Sequence, residues 1–179
     1  CLAGGVALNC VANGKILNKK IFDKIWVQPA AGDAGGSLGA ALGLWHIEQN
    51  NPRVINSNDD MKGSYLGPEY SQNRIEDELK ECNAKFKVLN EKEIINQTAE
   101  DLSKGKVVGW FQGRMEFGPR ALGARSILGD PRSSEMQKTL NLKIKYRESF
   151  RPFAPSILKE DLKHWFDMDV DCPYMLFVA

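Results

Sequence analysis

The sequence has no run of about 18 apolar residues, the length that a membrane-spanning helix needs, so such a helix is excluded. It has almost no net charge: Lys and Arg number 24 and Asp and Glu 23, a formal +1 over 179 residues. A balance this close gives no global field to draw the chain onto nucleic acid or an anionic membrane. Cysteine is sparse, at Cys1, Cys10, Cys82 and Cys172. None lies in a C-x-x-C pair, which excludes a zinc ribbon and a thioredoxin-type redox motif. Scattered thiols fit a reducing compartment, hence a cytoplasmic location. Histidine is scarcer still: His46 and His164 are far apart, form no ligand pair and read as surface or packed side chains. Neither G-x-G-x-x-G nor G-x-x-x-x-G-K-[ST] occurs, so both familiar nucleotide fingerprints are missing. There is no internal repeat, no low-complexity tract and no charged leader followed by an apolar stretch and a cleavage site. The first residue is Cys, and residues 174–179 are apolar without a polar tail, so the sequence is expected to be a piece of a longer protein.

What is present is a globular composition, 42% hydrophobic and 26% charged, which disordered chains do not show. The length allows one large domain or two small ones. Residues 1–49 are rich in Gly and Ala. Ile25-Trp26-Val27 is a short buried-strand candidate closed by Pro29. Residues 36–49 predict a helix with Leu38, Leu42 and Trp45 on one face. Residues 50–60, rich in Asn, Asp and Ser, predict a surface loop or a domain boundary. From 72 to 104 the chain is strongly charged. There Ile75, Leu79 and Cys82 mark an amphipathic helix, and Phe86 and Val88 alternate as in a strand. Ile94, Ile95, Ala99 and Leu102 mark a second helix, stopped by Gly105. Val107-Val108-Gly109-Trp110-Phe111 reads as a buried strand, and Ser134 with Gln137 as a capping box opening a helix through Met136 and Leu140. Residues 174–179 read as a last, apolar strand. Alternating helices and strands predict an α/β layer architecture.

Chemistry concentrates in three places. In Leu2-Ala3-Gly4-Gly5-Val6-Ala7-Leu8-Asn9, paired glycines let the backbone approach a ligand, or simply make a tight turn into a helix. Pro29-Ala30-Ala31-Gly32-Asp33-Ala34-Gly35-Gly36-Ser37-Leu38-Gly39-Ala40-Ala41 is a glycine-rich loop entering a helix, a place where N–H groups and the positive dipole end suit an anion. Its single carboxylate, Asp33, reads either as an N-cap or as one metal ligand beside a phosphate. The third place holds Gly113-Arg114-Met115-Glu116-Phe117-Gly118-Pro119-Arg120-Ala121-Leu122-Gly123, then Arg125. Downstream of it come Lys143, Lys145 and Arg147-Glu148-Ser149-Phe150-Arg151-Pro152-Phe153-Ala154-Pro155. A solvated basic face is the plain explanation of such a run. Against it, the cations alternate with Ile144, Phe150 and Phe153, which favour burial, and Gly118-Pro119 and Arg151-Pro152 stiffen the loops. Arginine grips phosphate and carboxylate bidentately. A pocket of three or four such cations suits a nucleoside phosphate or a mixed anhydride.

These four blocks, in this order, closely resemble the NodU/CmcH-type O-carbamoyltransferases; only residues 50–105 lack a sharp match. The resemblance implies an α/β chain. Residues 1–67 would be the tail of an actin/sugar-kinase/Hsp70-like domain, and residues 68–179 an incomplete YrdC-like twisted-sheet domain, with the family's paired metal histidines lying upstream in sequence not present here. It implies that the YrdC-like part joins carbamoyl phosphate and ATP into carbamoyl-adenylate, and that the kinase-like part passes the carbamoyl group to a hydroxyl of a small-molecule acceptor with a divalent metal, iron or magnesium. By resemblance Asp33 matches a metal ligand, and Gly4, Gly5 and Asn9 the nucleotide-side loop. Lys145, Arg151 and Arg120 match the carbamoyl-adenylate pocket, as binders and charge stabilisers, and Arg147 fits a K-x-R pattern of YrdC-like proteins. Gly35, Gly36, Arg114 and Arg125 join the binding set from the residue reading. The expected partners are carbamoyl phosphate, the acceptor and the remainder of the parent chain, without which the piece is expected to be inactive; no membrane is expected. A YrdC-like module binding nucleotide or RNA is the alternative, disfavoured by the neutral charge and by few aromatic residues near the arginines. A purely structural docking fragment and an acetate- or sugar-kinase relative are two others; the last leaves the third basic block unexplained.

Overall fold

The computed structural model describes residues 1–55, 58–168 and 170–178. Asn56 and Ser57 of the expected 50–60 loop, and Ala179 of the expected last strand, lie outside the described residues. The chain divides into two units. The first comprises Cys1–Gly67, Arg114–Leu122 and Ile157–Ala179, and the second Pro68–Gly113 and Gly123–Ser156.

The first unit is organised by its amino-terminal segment. Leu2 makes a single parallel bridge with Val27, its N–H bonding the Trp26 carbonyl at 2.9 Å. Gly4 adopts φ 88°, a conformation that favours glycine, and its N–H reaches the Ala31 carbonyl at 2.8 Å. A 3₁₀ turn, Gly5–Leu8, leads into α1 (Cys10–Asn18). Asn9 caps α1 by accepting from the Ala12 N–H. Ala7, Val27 and Leu176 form the core, with Leu2, Leu8, Ile25, Ala31, Tyr174 and Phe177 packed against it. Gly14 inside α1 has a packing reason: a Cβ there would lie 2.7 Å from the Val178 carbonyl oxygen. Buried Asn13 ties α1 to the carboxy-terminal segment, donating to the carbonyls of Ala7 at 2.8 Å and Leu176 at 3.1 Å. α2 (Ala34–Gly43) runs on as a π turn, Leu44–Glu48. A short α6 (Leu162–Trp165) lies in the returning segment.

The second unit carries α3 (Gln72–Glu81) and α4 (Glu91–Ser103), then β1 (Val108–Phe111) paired antiparallel with β2 (Arg125–Leu128). The register sets Val108 opposite Leu128 and Phe111 opposite Arg125. α5 (Met136–Thr139) continues as a π turn, Leu140–Ile144. Ala124, Met136, Leu140 and Asn141 are the buried residues here. The architecture is thus mixed α/β with a two-stranded sheet among the described residues.

Several expectations need correction. Ile25-Trp26-Val27 makes only the one bridge, because Leu2 is its single ladder partner before the chain turns at Gly4. Phe86 and Val88 lie in an exposed connection, where no described strand offers an edge to pair with. Residues 174–178 form a turn and irregular backbone, with Met175 at φ 53° and its N–H bonded to the Cys172 carbonyl. Ser134 and Gln137 make no capping box: Glu135 holds the N-cap position of α5 without a side-chain bond, and Gln137 turns to the Phe150 and Arg151 carbonyls. The box sits instead on α4, where Asn90 and Glu93 exchange bonds. The apolar face foreseen on α2 exists but is uncovered, with Leu42 47% and Trp45 53% exposed.

Candidate functional site

The first unit gathers three of the four singled-out blocks. The segment Arg114–Leu122 is stitched to residues 64–67: the Phe117 N–H donates to the Ser64 carbonyl at 2.6 Å and the Gly67 N–H to the Met115 carbonyl at 2.9 Å. Arg114 Nη1 donates to the Gly67 carbonyl at 2.8 Å, and the Tyr65 hydroxyl to the Leu122 carbonyl at 2.6 Å. Gly118, at φ 122°, lies against Pro29 and Ala30, and a Cβ on it would come within 3.3 Å of the Ala30 Cβ. This brings Arg120 to the glycine turn of the first block, where its Nη2 donates to the Leu8 carbonyl at 2.7 Å. Its Nε is buried without an acceptor. A Cβ on Gly4 or Gly5 would meet nothing within 4 Å, so the backbone there is open to a ligand.

Asp33 stands exposed at the start of α2 and makes no capping bond. The N–H groups of Gly35 and Gly36 donate to the Gly32 and Asp33 carbonyls at 3.1 Å, so the first turn spends part of its donor capacity internally. Gly35 is needed where it is, since a Cβ would sit 2.2 Å from the Ala30 carbonyl oxygen. A metal needs several donors. Among the described residues no group of three or more His, Cys, Asp or Glu could hold one. Asp33 is therefore at most one ligand of a set that the described residues do not complete.

The fourth block is built in the second unit around Asn141, which is fully buried. Its Nδ2 donates to the carbonyls of Ser149 at 3.1 Å and Arg151 at 2.8 Å, and its Oδ1 accepts from Arg147 Nε at 2.7 Å. The Arg147 N–H closes the turn on the Asn141 carbonyl at 3.0 Å. The Arg147 guanidinium lies over the Phe153 ring, 4.9 Å from its centroid. Lys145 is exposed just past the π turn, its backbone N–H bonded to the Leu140 carbonyl. Arg151 Nε pairs with Glu148 Oε2 at 2.7 Å. The Glu148 carboxyl is held below its usual range by its own backbone N–H and then by Arg151. Arg125 is half-buried in β2. Ile144 and Phe150 are exposed, against the expectation that the apolar members of this run are buried; Phe153 is half-covered, by Arg147.

Arg120 and Arg114 thus fall in the first unit with Gly4, Gly5, Asn9, Asp33, Gly35 and Gly36, and Lys145, Arg147, Arg151 and Arg125 in the second. Three residues that shape these groups escaped the sequence reading. Asn141 and Glu148 organise the basic turn, and Glu116, 4% exposed, accepts from the Leu122 N–H at 2.6 Å. The one signal for Asn141 and Glu116 was a polar residue set among apolar neighbours, in Leu140-Asn141-Leu142 and Met115-Glu116-Phe117.

Two family models match this mixed α/β chain: Carbamoyltransferase N-terminus matches residues 1–42 and Carbamoyltransferase C-terminus residues 99–179. The chain belongs to the carbamoyltransferase family, of the NodU/CmcH type. It is similar to an uncharacterized protein of Synechocystis sp., 57% identical over 100% of this chain and 29% of the relative. It is 45% identical to nodulation protein NolO of Bradyrhizobium diazoefficiens, over 100% of this chain and 33% of that protein. It is 34% identical to the 3'-hydroxymethylcephem-O-carbamoyltransferase of Amycolatopsis lactamdurans, over 98% of this chain and 31% of the enzyme. The chain spans about a third of the length of these relatives. No helix among the described residues is long and apolar enough to cross a membrane.

Proposed function

We propose that this chain is part of an O-carbamoyltransferase that activates carbamoyl phosphate with ATP as carbamoyl-adenylate and passes the carbamoyl group to a hydroxyl of a small-molecule acceptor. The region from 68 onward would be the YrdC-like, adenylate-forming part, and residues 1–67 the tail of the kinase-like part. Water releases phosphate from carbamoyl phosphate and leaves carbamate. A carbamate oxygen attacks the α-phosphorus of ATP and pyrophosphate departs. The acceptor's oxygen then attacks the carbamoyl carbon, its proton is lost, and AMP leaves with the bridging oxygen.

The protein's task in the first stage is to bring two polyanions together, and fixed cations in a preorganised frame do this without reorganising at the moment of reaction. The observation that carries the proposal is the Asn141-centred turn, which holds Arg147 and the backbone of Arg151 rigidly inside the region matched to the carbamoyltransferase C-terminus. Lys145 and Arg151 are assigned to bind and neutralise, with Arg147 and Arg125 beside them in the same unit. Arg120, whose guanidinium lies on the Leu8 carbonyl, is assigned to the glycine turn, where Gly4, Gly5 and Asn9 with Gly35, Gly36 and Arg114 would receive the activated group. A divalent metal in the full-length enzyme would polarise the carbamoyl carbonyl, with Asp33 as one donor.

Calorimetric titration of the full-length protein with carbamoyl phosphate in the presence of ATP is the test. Lys145→Ala and Arg151→Ala, each folded, are expected to weaken binding by at least about tenfold, the loss of one charge-assisted contact. Unchanged binding in both would remove them from the site.

A further inference from the structure

We propose that Glu116 is a positioning residue for Arg120: its buried carboxylate latches the 116–122 loop and thereby fixes the guanidinium against the Gly4–Leu8 turn. The inference rests on the placement of Arg120 at that turn as a working group, but the latch itself is independent of the reaction.

Glu116 is buried, and a buried carboxylate needs partners to remain. It meets one across the neck of its own loop, where Oε1 accepts from the Leu122 N–H. Further ties bind the segment to its surroundings: Arg114 and Met115 to Gly67, Phe117 to Ser64, Leu122 to Tyr65 and Arg120 to Leu8. The bond from Glu116 crosses from one side of the loop to the other, with Gly118, Pro119 and Arg120 in the arc between. Gly118 presses on Ala30 at one side of this arc and Arg120 bonds Leu8 at the other. Closing the neck leaves the arc short and stiff, so the direction of Arg120 is set by a residue four positions earlier. A misplacement of about 1 Å in a charge-bearing group costs about a hundredfold in rate, which is what such a latch would prevent.

The test uses the full-length protein and the variants Glu116→Ala, Glu116→Gln and Arg120→Ala. Reaction of Arg120 with a dicarbonyl reagent, followed by mass spectrometry, reads its restraint without reference to activity. Glu116→Ala is expected to raise that rate about tenfold, and Glu116→Gln, whose amide oxygen still accepts from the Leu122 N–H, to leave it within about twofold. Hydrogen exchange at Leu122 should rise in the alanine variant and stay protected in the glutamine variant and in Arg120→Ala. Carbamoyl transfer should fall about a hundredfold in kcat for Glu116→Ala and recover with Glu116→Gln. Adding Glu116→Ala to Arg120→Ala should cost less than about threefold more, because the two act through one group. An unchanged Arg120 modification rate in Glu116→Ala overturns the latch, as does an additive double variant or a glutamine variant no better than alanine. A full-length protein that transfers no carbamoyl group overturns the functional reading instead, and the modification and exchange arms still decide the latch.

Discussion

At the scale of single residues, the polar groups that matter are buried ones holding backbone in place. Asn141 satisfies three groups of the basic turn at once. Asn141→Ala would leave the Arg147 Nε and the Ser149 and Arg151 carbonyls without that partner. It is expected to destabilise the second unit by about 2–4 kcal/mol in denaturant unfolding of the full-length protein. A second residue-scale prediction concerns Tyr174, whose hydroxyl donates to Asp59. Burial, and then the Asp59 carboxylate, push the Tyr174 pKa up to about 12, while the Tyr174 hydroxyl, with the Gly63 and Met61 N–H groups, holds the Asp59 carboxyl below its usual 3.8. For Tyr174 the folded value lies above the unfolded value of 10.0. The stabilisation it brings is therefore full below pH 10 and is lost as pH rises toward about 12. For Asp59 the sign reverses: its contribution is full above its unfolded value and is lost as pH falls through the lowered folded one. An alkaline absorbance titration should show one of the four tyrosines ionising late, and Tyr174→Phe should remove that phase. A late phase that survives Tyr174→Phe, or no late phase at all, would contradict the Asp59–Tyr174 contact.

At the scale of elements, the amphipathic helices were legible, and of the expected strands only Val107–Phe111 forms. The spacing of Ile75, Leu79 and Cys82, and of Ile94, Ile95, Ala99 and Leu102, marks α3 and α4 because helix periodicity is local to the segment that shows it. A strand exists only if a neighbour pairs with it, so Val107–Phe111 succeeds through β2 while Phe86 and Val88 have no edge to join. Capping is equally contextual: Ser134 and Gln137 have the right spacing, but Gln137 is drawn to the basic turn, and Asn90 with Glu93 forms the box instead. Asn90→Ala should cost about 1 kcal/mol and raise hydrogen exchange in the first turn of α4. For the site, the four blocks were visible as glycine and arginine patterns, but Asn141, Glu116 and Glu148 were not, because each acts on residues that folding brings to it. The turn around Asn141 makes its own prediction. If Arg151 grips the donor's phosphate as proposed, Glu148 would compete for it, so Glu148→Gln should tighten carbamoyl phosphate binding by about threefold, a small gain because the pair is exposed. A calorimetric titration that shows weaker binding would mean that Glu148 positions Arg151 and does not compete for it.

At the scale of the whole molecule, the apolar face of α2 and its π turn is a measure of what this chain leaves uncovered. Leu42, Leu44, Trp45 and Ile47 are all exposed on an element with a single charged side chain, Glu48. Helices of that composition are normally buried, and the relatives are about three times longer than this chain. Trp45 fluorescence should therefore be quenched readily by acrylamide in the 179-residue chain and several-fold less in the full-length protein; equal quenching would mean that the face stays open. Pyrophosphate release by the full-length protein reads the proposed role of the basic turn in carbamoyl activation without knowledge of the acceptor. Release from ATP is expected to depend on added carbamoyl phosphate and to fall by about a hundredfold or more in Lys145→Ala and Arg151→Ala. Release that ignores carbamoyl phosphate, or that survives both substitutions in folded protein, would contradict that role.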